Sequence, residues 1–186
     1  MPHVWRLLQE IAFHLRLQRR DEEVARDRRA QGCGRCGGKL HQAHYPREPR
    51  GGPGGLGAAY NRRFSFCCAS CRARTTPPSL RFGGRKVYLA AVVMLLPAAA
   101  QRSSRSALHR LRKALGPSAR TLARWIAWWS GTVPGTSFWK EARAHLMPPI
   151  EPAALPGGLL ERFTGDDSAL VERALVFVSP LSTVTS

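Results

Sequence analysis

Apolar residues recur at helical spacing in several separate stretches of the chain. Near the N-terminus, Val4, Leu7, Leu8, Ile11 and Leu15 fall on one face of a helix expected over residues 3–29. Past Leu17 the sequence alternates charge sign, which suits an exposed, salt-bridged continuation. Val87 to Leu96 is apolar on every side. With Pro97 to Ala100 the uncharged run reaches 14 residues, too short to cross a bilayer and suited to a buried helix. Leu108, Leu111 and Leu115 give the next helix an apolar face, and Leu122, Trp125, Ile126 and Trp129 the one after. Gly116 and Pro117 separate these two, and Ser118 is placed to cap the second.

Beyond them, Ser130 to Pro134 reads as a turn and Phe138 to Leu146 as one more short helix. Pro148, Pro149, Pro152 and Pro156, with Gly157 and Gly158, read as a linker. Thr164 to Asp167 can cap a final helix whose apolar face is Leu170, Val171, Ala174, Leu175 and Val178. The tail from Pro180 to Ser186 is expected to fray. Strand-like stretches are few, Leu40–Tyr45 and Arg63–Phe66. The fold class is therefore mainly α with a small β unit. The units expected are an N-terminal amphipathic helix (1–30), a β unit with an inserted loop (31–82), a three-helix unit (83–131), and a linker with short C-terminal helices (132–186).

Cysteine placement gives the β unit its chemistry. Four of the five cysteines form two C-x-x-C pairs, Cys33/Cys36 and Cys68/Cys71. Each pair can aim two sulfurs at one point, and four thiolates complete a tetrahedral zinc site with no position left for water, a structural rather than catalytic ion. An odd cysteine count fits metal ligation better than a secreted disulfide framework, and no βαβ context supports redox chemistry. The glycines after Cys36 suit a tight turn. With one strand leaving the first pair and another entering the second, this is the layout of a zinc ribbon, stretched by the 31 residues between Cys36 and Cys68. Two alternatives stay open: Cys67 in place of Cys68, and a local site of Cys33, Cys36, His41 and His44. Within the insertion, Gly52-x-Gly54-x-x-Gly57 formally matches a dinucleotide fingerprint. It follows Pro46 to Pro49 rather than a buried strand, so it reads as a flexible loop, with Arg47, Arg50, Arg62 and Arg63 available to phosphate.

Charge placement narrows the partner. The net charge is +17, and between Pro49 and Lys140 there are 16 basic residues and no acid, while the flanks carry 13 basic and 12 acidic residues. Ordinary solvation mixes signs; a polyanion explains the asymmetry, because each cation set on a phosphate releases counterions. Arg6, Glu10 and Arg16 interrupt the first apolar stretch, leaving no secretory h-region, and Glu10 with the acids at Asp21 to Glu23 argues against a transit peptide. A cytoplasmic, nucleoid-associated protein is expected, with neither membrane nor small-molecule substrate as partner.

Residues 103–129 then read as a helix-turn-helix. Arg120 and Arg124, four apart on the second helix, are the candidates for base edges, with Thr121 near a phosphate or thymine methyl and Ser118 at the cap. Arg102, Arg105, Arg110, Arg112 and Lys113 are expected to fix position on the DNA backbone. A zinc ribbon, a basic Thr-Pro-Pro connection, an apolar helix and the string Ser118-x-Arg120-Thr121-Leu122-x-Arg124-Trp125 together resemble the DNA-binding front end of bacterial insertion-sequence transposases, over residues 33–130. The resemblance implies recognition of an element end, or a related regulatory or accessory role. Such transposases cut DNA with three carboxylates on a separate ribonuclease-H-like domain that binds two metal ions. Here only 46 residues follow Lys140, and their acids, Glu141, Glu151, Glu161, Asp166, Asp167 and Glu172, have too little chain around them for such a sheet. Asp166 and Asp167 read as helix-capping charge.

The expectation is thus a non-enzymatic, sequence-specific DNA-binding protein with structural zinc. Its partner is duplex DNA, with a transposase or a second copy possible through the terminal helices. The rival readings are an RNA-binding zinc ribbon, a transcriptional regulator, a recombinase fragment, and an adaptor using Trp128 and Trp139.

Overall fold

In a computed structural model that describes residues 4–183, the N-terminal stretch is two elements rather than one helix. Val4–Gln9 is a 3-10 helix, Glu10 turns extended (φ −90°, ψ 109°), and helix α1 runs Ile11–Ala30. The break rotates the apolar face. Val4, Leu7 and Leu8 are buried as expected, but Ile11 and Leu15 are 45% and 40% exposed. The buried series of α1 is instead Phe13, Leu17, Asp21 and Ala25, with His14 beside Phe13. The start of the expected helix, at His3, lies outside the described residues.

Strand β1 (Leu40–Gln42) follows the first cysteine pair, then β2 (Tyr45–Pro46), the single turn α2 (Gly57–Tyr60), β3 (Arg62–Arg63), β4 (Phe66–Cys68) and β5 (Arg74–Thr75). β1, β4 and β5 form an antiparallel sheet with Leu40 opposite Cys68 and Phe66 opposite Thr75. β2 and β3 pair separately, Tyr45 opposite Arg63. β5 lies at the start of the basic Thr-Pro-Pro connection, which was not among the strand-like stretches. The Gly-rich insertion is seated rather than free. Arg50 pairs with the backbone of Val87 and Leu89 at 2.8 and 3.0 Å. A Cβ on Gly51 would come within 3.0 Å of Val92, and one on Gly52 within 2.9 Å of Leu89, so the glycines permit close backbone approach.

Helix α3 (Ala90–Arg102) is the centre of the main core, with Ala91 to Ala99 all buried, as its lack of a polar face demands. Helices α4 (Arg105–Leu115) and α5 (Ala119–Ala127) follow, joined at Gly116, whose φ of 84° closes α4. The chain does not turn after Trp129 as expected. A π-helical turn (Trp128–Thr132), in which the Val133 N–H reaches back five residues to Trp128, carries it into α6 (Val133–Gly135). Then come α7 (Ser137–Ala142), α8 (Gly157–Leu160) and α9 (Asp167–Val178), the last capped by Asp166 through a 2.8 Å bond from the Ala169 N–H. The Pro/Gly segment expected to be a linker is strapped to α3. Leu155, Leu159 and Leu160 are buried, and the Gln101 side chain donates to Ala153 and Leu155 while accepting from the Gly157 N–H. The tail expected to fray is docked as far as it is described. Ser179–Ser182 is a 3-10 turn, Leu181 is buried, and the Ser182 hydroxyl accepts from the Ser79 N–H at 2.9 Å; residues 184–186 lie outside the described residues.

One polar knot joins these parts. Asp21 on α1 and Arg81, which follows the sheet, are 1% and 0% exposed and meet at 2.8 Å. Asp21 also accepts from the Leu80 N–H at 2.6 Å and the Ser79 hydroxyl at 2.5 Å. Arg81 donates onward to the carbonyls of Tyr60 and Arg62 and lies over the rings of Tyr60, Phe64 and Phe82. Nearby, His14 places Nε2 3.1 Å from the Leu8 carbonyl and Nδ1 3.0 Å from the Tyr60 hydroxyl, the arrangement of a neutral imidazole protonated on Nε2. Burial holds its pKa below the ordinary 6.5, with the Leu8 carbonyl opposing.

Two outcomes are expected. Asp21→Leu leaves the Arg81 charge buried and unpaired and costs about 3–5 kcal/mol in urea unfolding, while adding Arg81→Met recovers a large part. Equal losses in the single and double variants would contradict this. Because His14 titrates lower when folded than when unfolded, its contribution is fully present above pH 6.5 and is lost as pH falls from there through the folded pKa. The urea midpoint should drop between pH 7.5 and 5.5, and His14→Gln should flatten that drop.

Candidate metal centre and nucleic-acid interface

The first cysteine pair sits on a tight turn at the end of α1. Cys33 N–H donates to Gly38 at 2.9 Å and Gly37 N–H to Cys33 at 2.8 Å. The second pair leaves β4 and turns back into β5, with the Cys68 N–H bonded to Ala73 at 2.9 Å. The residue after the second cysteine is left-handed in both turns, Gly37 at φ 70° and Arg72 at φ 59°. The two turns therefore share one backbone solution, although only one has the residue that adopts it without strain.

These turns bring the four sulfurs together. Cys33 and Cys71 Sγ are 3.6 Å apart, Cys36 and Cys68 3.5 Å, and all four lie within 4.8 Å of one another. A tetrahedron of thiolates at about 2.3 Å from a zinc ion has edges near 3.8 Å, so the group can hold a metal ion. The surroundings fit a cation. Backbone N–H groups of Cys71 and then Ser70 hold the Cys68 thiol down to about 6, and those of Arg35 and Cys36 lower Cys33. At Cys71 the Ala73 N–H also favours the thiolate, yet the neighbouring Cys36 sulfur, burial and Cys33 push it up to about 12. Packed thiolates repel, and a divalent ion is the partner that lets all four ionise. Gly38 keeps the approach open, since a Cβ there would lie 3.0 Å from Cys68 Sγ and 2.7 Å from Ser70 Oγ.

The alternative ligands point elsewhere. Cys67 Sγ faces the Arg72 and Cys68 carbonyls at 3.6 and 3.8 Å. His44 Nδ1 sits 2.9 Å from the Ser65 carbonyl oxygen, its ring edge-on to Phe64 and Phe66, and His41 is exposed on β1.

On the helical side, Leu122, Trp125 and Trp129 anchor α5 and its extension. Trp125 stacks edge-on with Tyr88, and Trp129 Nε1 donates to the Val93 carbonyl at 2.9 Å. Ser118 Oγ accepts from the Thr121 N–H at 3.1 Å and lies 3.0 Å from Thr121 Oγ1, so both hydroxyls take part in the cap. Arg120 and Arg124 are exposed, as are Arg105, Arg110 and Lys113. Arg102 is ion-paired with Glu161. Arg112 is half-buried, with its Nε enclosed and unpartnered.

Of the four arginines assigned to phosphate around the Gly-rich loop, two serve the interior instead. Arg63 is 2% exposed and donates to Pro77 at 2.6 Å, while Arg47 donates to the Gly84 and Lys86 carbonyls. What sequence patterning missed is Lys86, whose Nζ lies 3.5 Å from the centre of the Trp128 ring. Its only sequence signal is membership of the acid-free stretch. Among the described residues no helix is long and apolar enough to cross a membrane. Comparison with protein-family models, with curated proteins and with solved structures returns no match.

Purified protein should carry one tightly held metal ion per chain, released on thiol modification. Cys68→Ser should lose it and unfold the module spanning residues 33–75, whereas Cys67→Ser should retain it. Metal analysis by mass spectrometry with circular dichroism decides, and retention of full metal by Cys68→Ser would remove Cys68 from the site.

Proposed function

We propose that the protein is a sequence-specific, zinc-containing DNA-binding protein of the transposase-accessory or orphan type, acting on duplex DNA at the nucleoid. The observation that carries this reading is α5. Its apolar side is locked into the core, its N-terminus is capped at Ser118, and its outer side presents Arg120 and Arg124 one turn apart. With α4 and the left-handed Gly116 turn before it, α5 reads as the second helix of a helix-turn-helix, the element that would lie in a major groove. Arg105, Arg110 and Lys113 on α4 serve as backbone contacts that set register. The cysteine module reads as a zinc ribbon; four thiolates leave no open coordination position, so the ion is structural and supplies folding energy. The acid-free, strongly basic span from Pro49 to Lys140 favours a polyanionic partner.

Selection from a random duplex pool at near-physiological salt, with zinc-loaded protein, should enrich a defined motif. Arg124→Ala should relax one position of that motif, losing about 1–3 kcal/mol of discrimination. Arg110→Ala should weaken all duplexes alike; it is a cleaner test than Arg112, whose half-buried side chain makes its removal a packing change as well. Retention without enrichment, or preference for single-stranded RNA, would sink this reading.

A further inference from the structure

Arg120, Arg124 and Trp128 succeed one another at four-residue spacing, and Trp128 keeps helical geometry (φ −66°, ψ −44°). They therefore form one ridge that runs from the exposed arginines to Trp128, which is half-buried against the core. At the end of that ridge opens a cleft of about 610 Å3 between the loop carrying Arg85 and Lys86 and the wall formed by Trp128, Gly131, Thr132 and Gly135. No acid lines it. A Cβ built on Gly131 or Gly135 meets nothing within 4 Å, so that wall is bare backbone and open space.

The loop is held against the cleft from behind. Arg47 donates to the carbonyls of Gly84 and Lys86 and lies over the Phe82 ring, and Arg50 is bonded to the backbone just beyond, at Val87 and Leu89. Lys86 is thereby placed with its ammonium over the Trp128 ring, and with no carboxylate among the cleft-lining residues. A cation–π contact is a weak substitute for an anion.

We propose that this cleft is a phosphate-binding subsite, in which Arg85 and Lys86 grip a backbone phosphate of the nucleic acid that α5 engages. Lys86 waits on the Trp128 ring and transfers its ammonium to the phosphate when the backbone arrives. Burial has already brought its pKa down to about 8, so an anion at this position meets a cation that is poorly solvated in the free protein. The proposal rests on the reading of α5 as the nucleic-acid helix, but the cleft's preference for phosphate is measurable apart from it.

The chain has four lysines, Lys39, Lys86, Lys113 and Lys140. Reductive methylation with 13C-formaldehyde keeps their charge and gives a correspondingly simple NMR spectrum. In the zinc-loaded full chain, the Lys86 methyl signal should lie upfield of the others because of the Trp128 ring, and Lys86→Gln identifies it by its loss. Addition of the selected duplex should move that signal downfield as the ammonium leaves the ring, and tripolyphosphate alone should do the same at higher concentration. Movement with tripolyphosphate but not with duplex supports the subsite while removing duplex DNA as its source. A Lys86 signal that stays in place with both, or that moves equally with chloride at matched ionic strength, overturns the proposal.

Discussion

The buried pair of Asp21 and Arg81 is the constraint on which the rest of the arrangement depends. Two opposite charges cannot be taken out of water one at a time, so α1, the Ser79–Phe82 connection and the carbonyls of Tyr60 and Arg62 must assemble together. The groups of the knot come from three separate parts of the chain: Asp21 on α1, the carbonyls of residues 60–62, and residues 79–81. Hydrophobic burial alone would let α1 slide or rotate by a residue at modest cost. A carboxylate bonded at once by a backbone N–H, a hydroxyl and a guanidinium does not permit that.

From this knot the cysteine module and the helical body become mechanically continuous. α1 ends at Ala30, three residues before Cys33, and the residues beyond β5 lead through Ser79 and Arg81 to α3. The insertion between the cysteine pairs is the second bridge. Arg50 is laid against the backbone of Val87 and Leu89, Gly51 and Gly52 against α3 and its approach, and Arg47 holds the loop that carries Lys86. The cysteine turns and a basic helix face, far apart in sequence, are thus fixed relative to each other largely by polar contacts.

Periodicity made the helical body legible. Where one face was apolar and the other charged, as in α4, α5 and α9, both the elements and their buried faces followed from spacing, and Ser118 and Asp166 cap as their residue types suggest. The matched C-x-x-C spacing favoured Cys68 without excluding Cys67, and it is the Cys68 sulfur that lies with the other three. The misses share a physical cause. The inward stripe of α1 contains His14 and Asp21, polar residues that no apolar pattern reports, so the stripe through Ile11 and Leu15 looked better. Arg63 read as a phosphate contact and Arg81 carried no sequence signal, because burial of a guanidinium depends on partners brought from elsewhere in the chain. The π turn after Trp128 hid behind Gly131 and Pro134, which ordinarily end a helix, and Gly51 and Gly52 looked flexible when their role is close contact.

The length of α5 has an informational consequence. The nine residues of α5 that precede the π turn, beyond which Trp129 and Val133 face the core, rise about 14 Å along the axis at 1.5 Å each. Laid along a duplex whose base pairs repeat at about 3.4 Å, a helix of that length faces about four of them. A word of four letters recurs about once in every 256 positions of random sequence, too often to mark a single address in a genome. Under the proposed DNA-binding function, unique addressing would therefore require that α5 be read in combination, by a second copy on an adjoining site or by a larger protein that it guides.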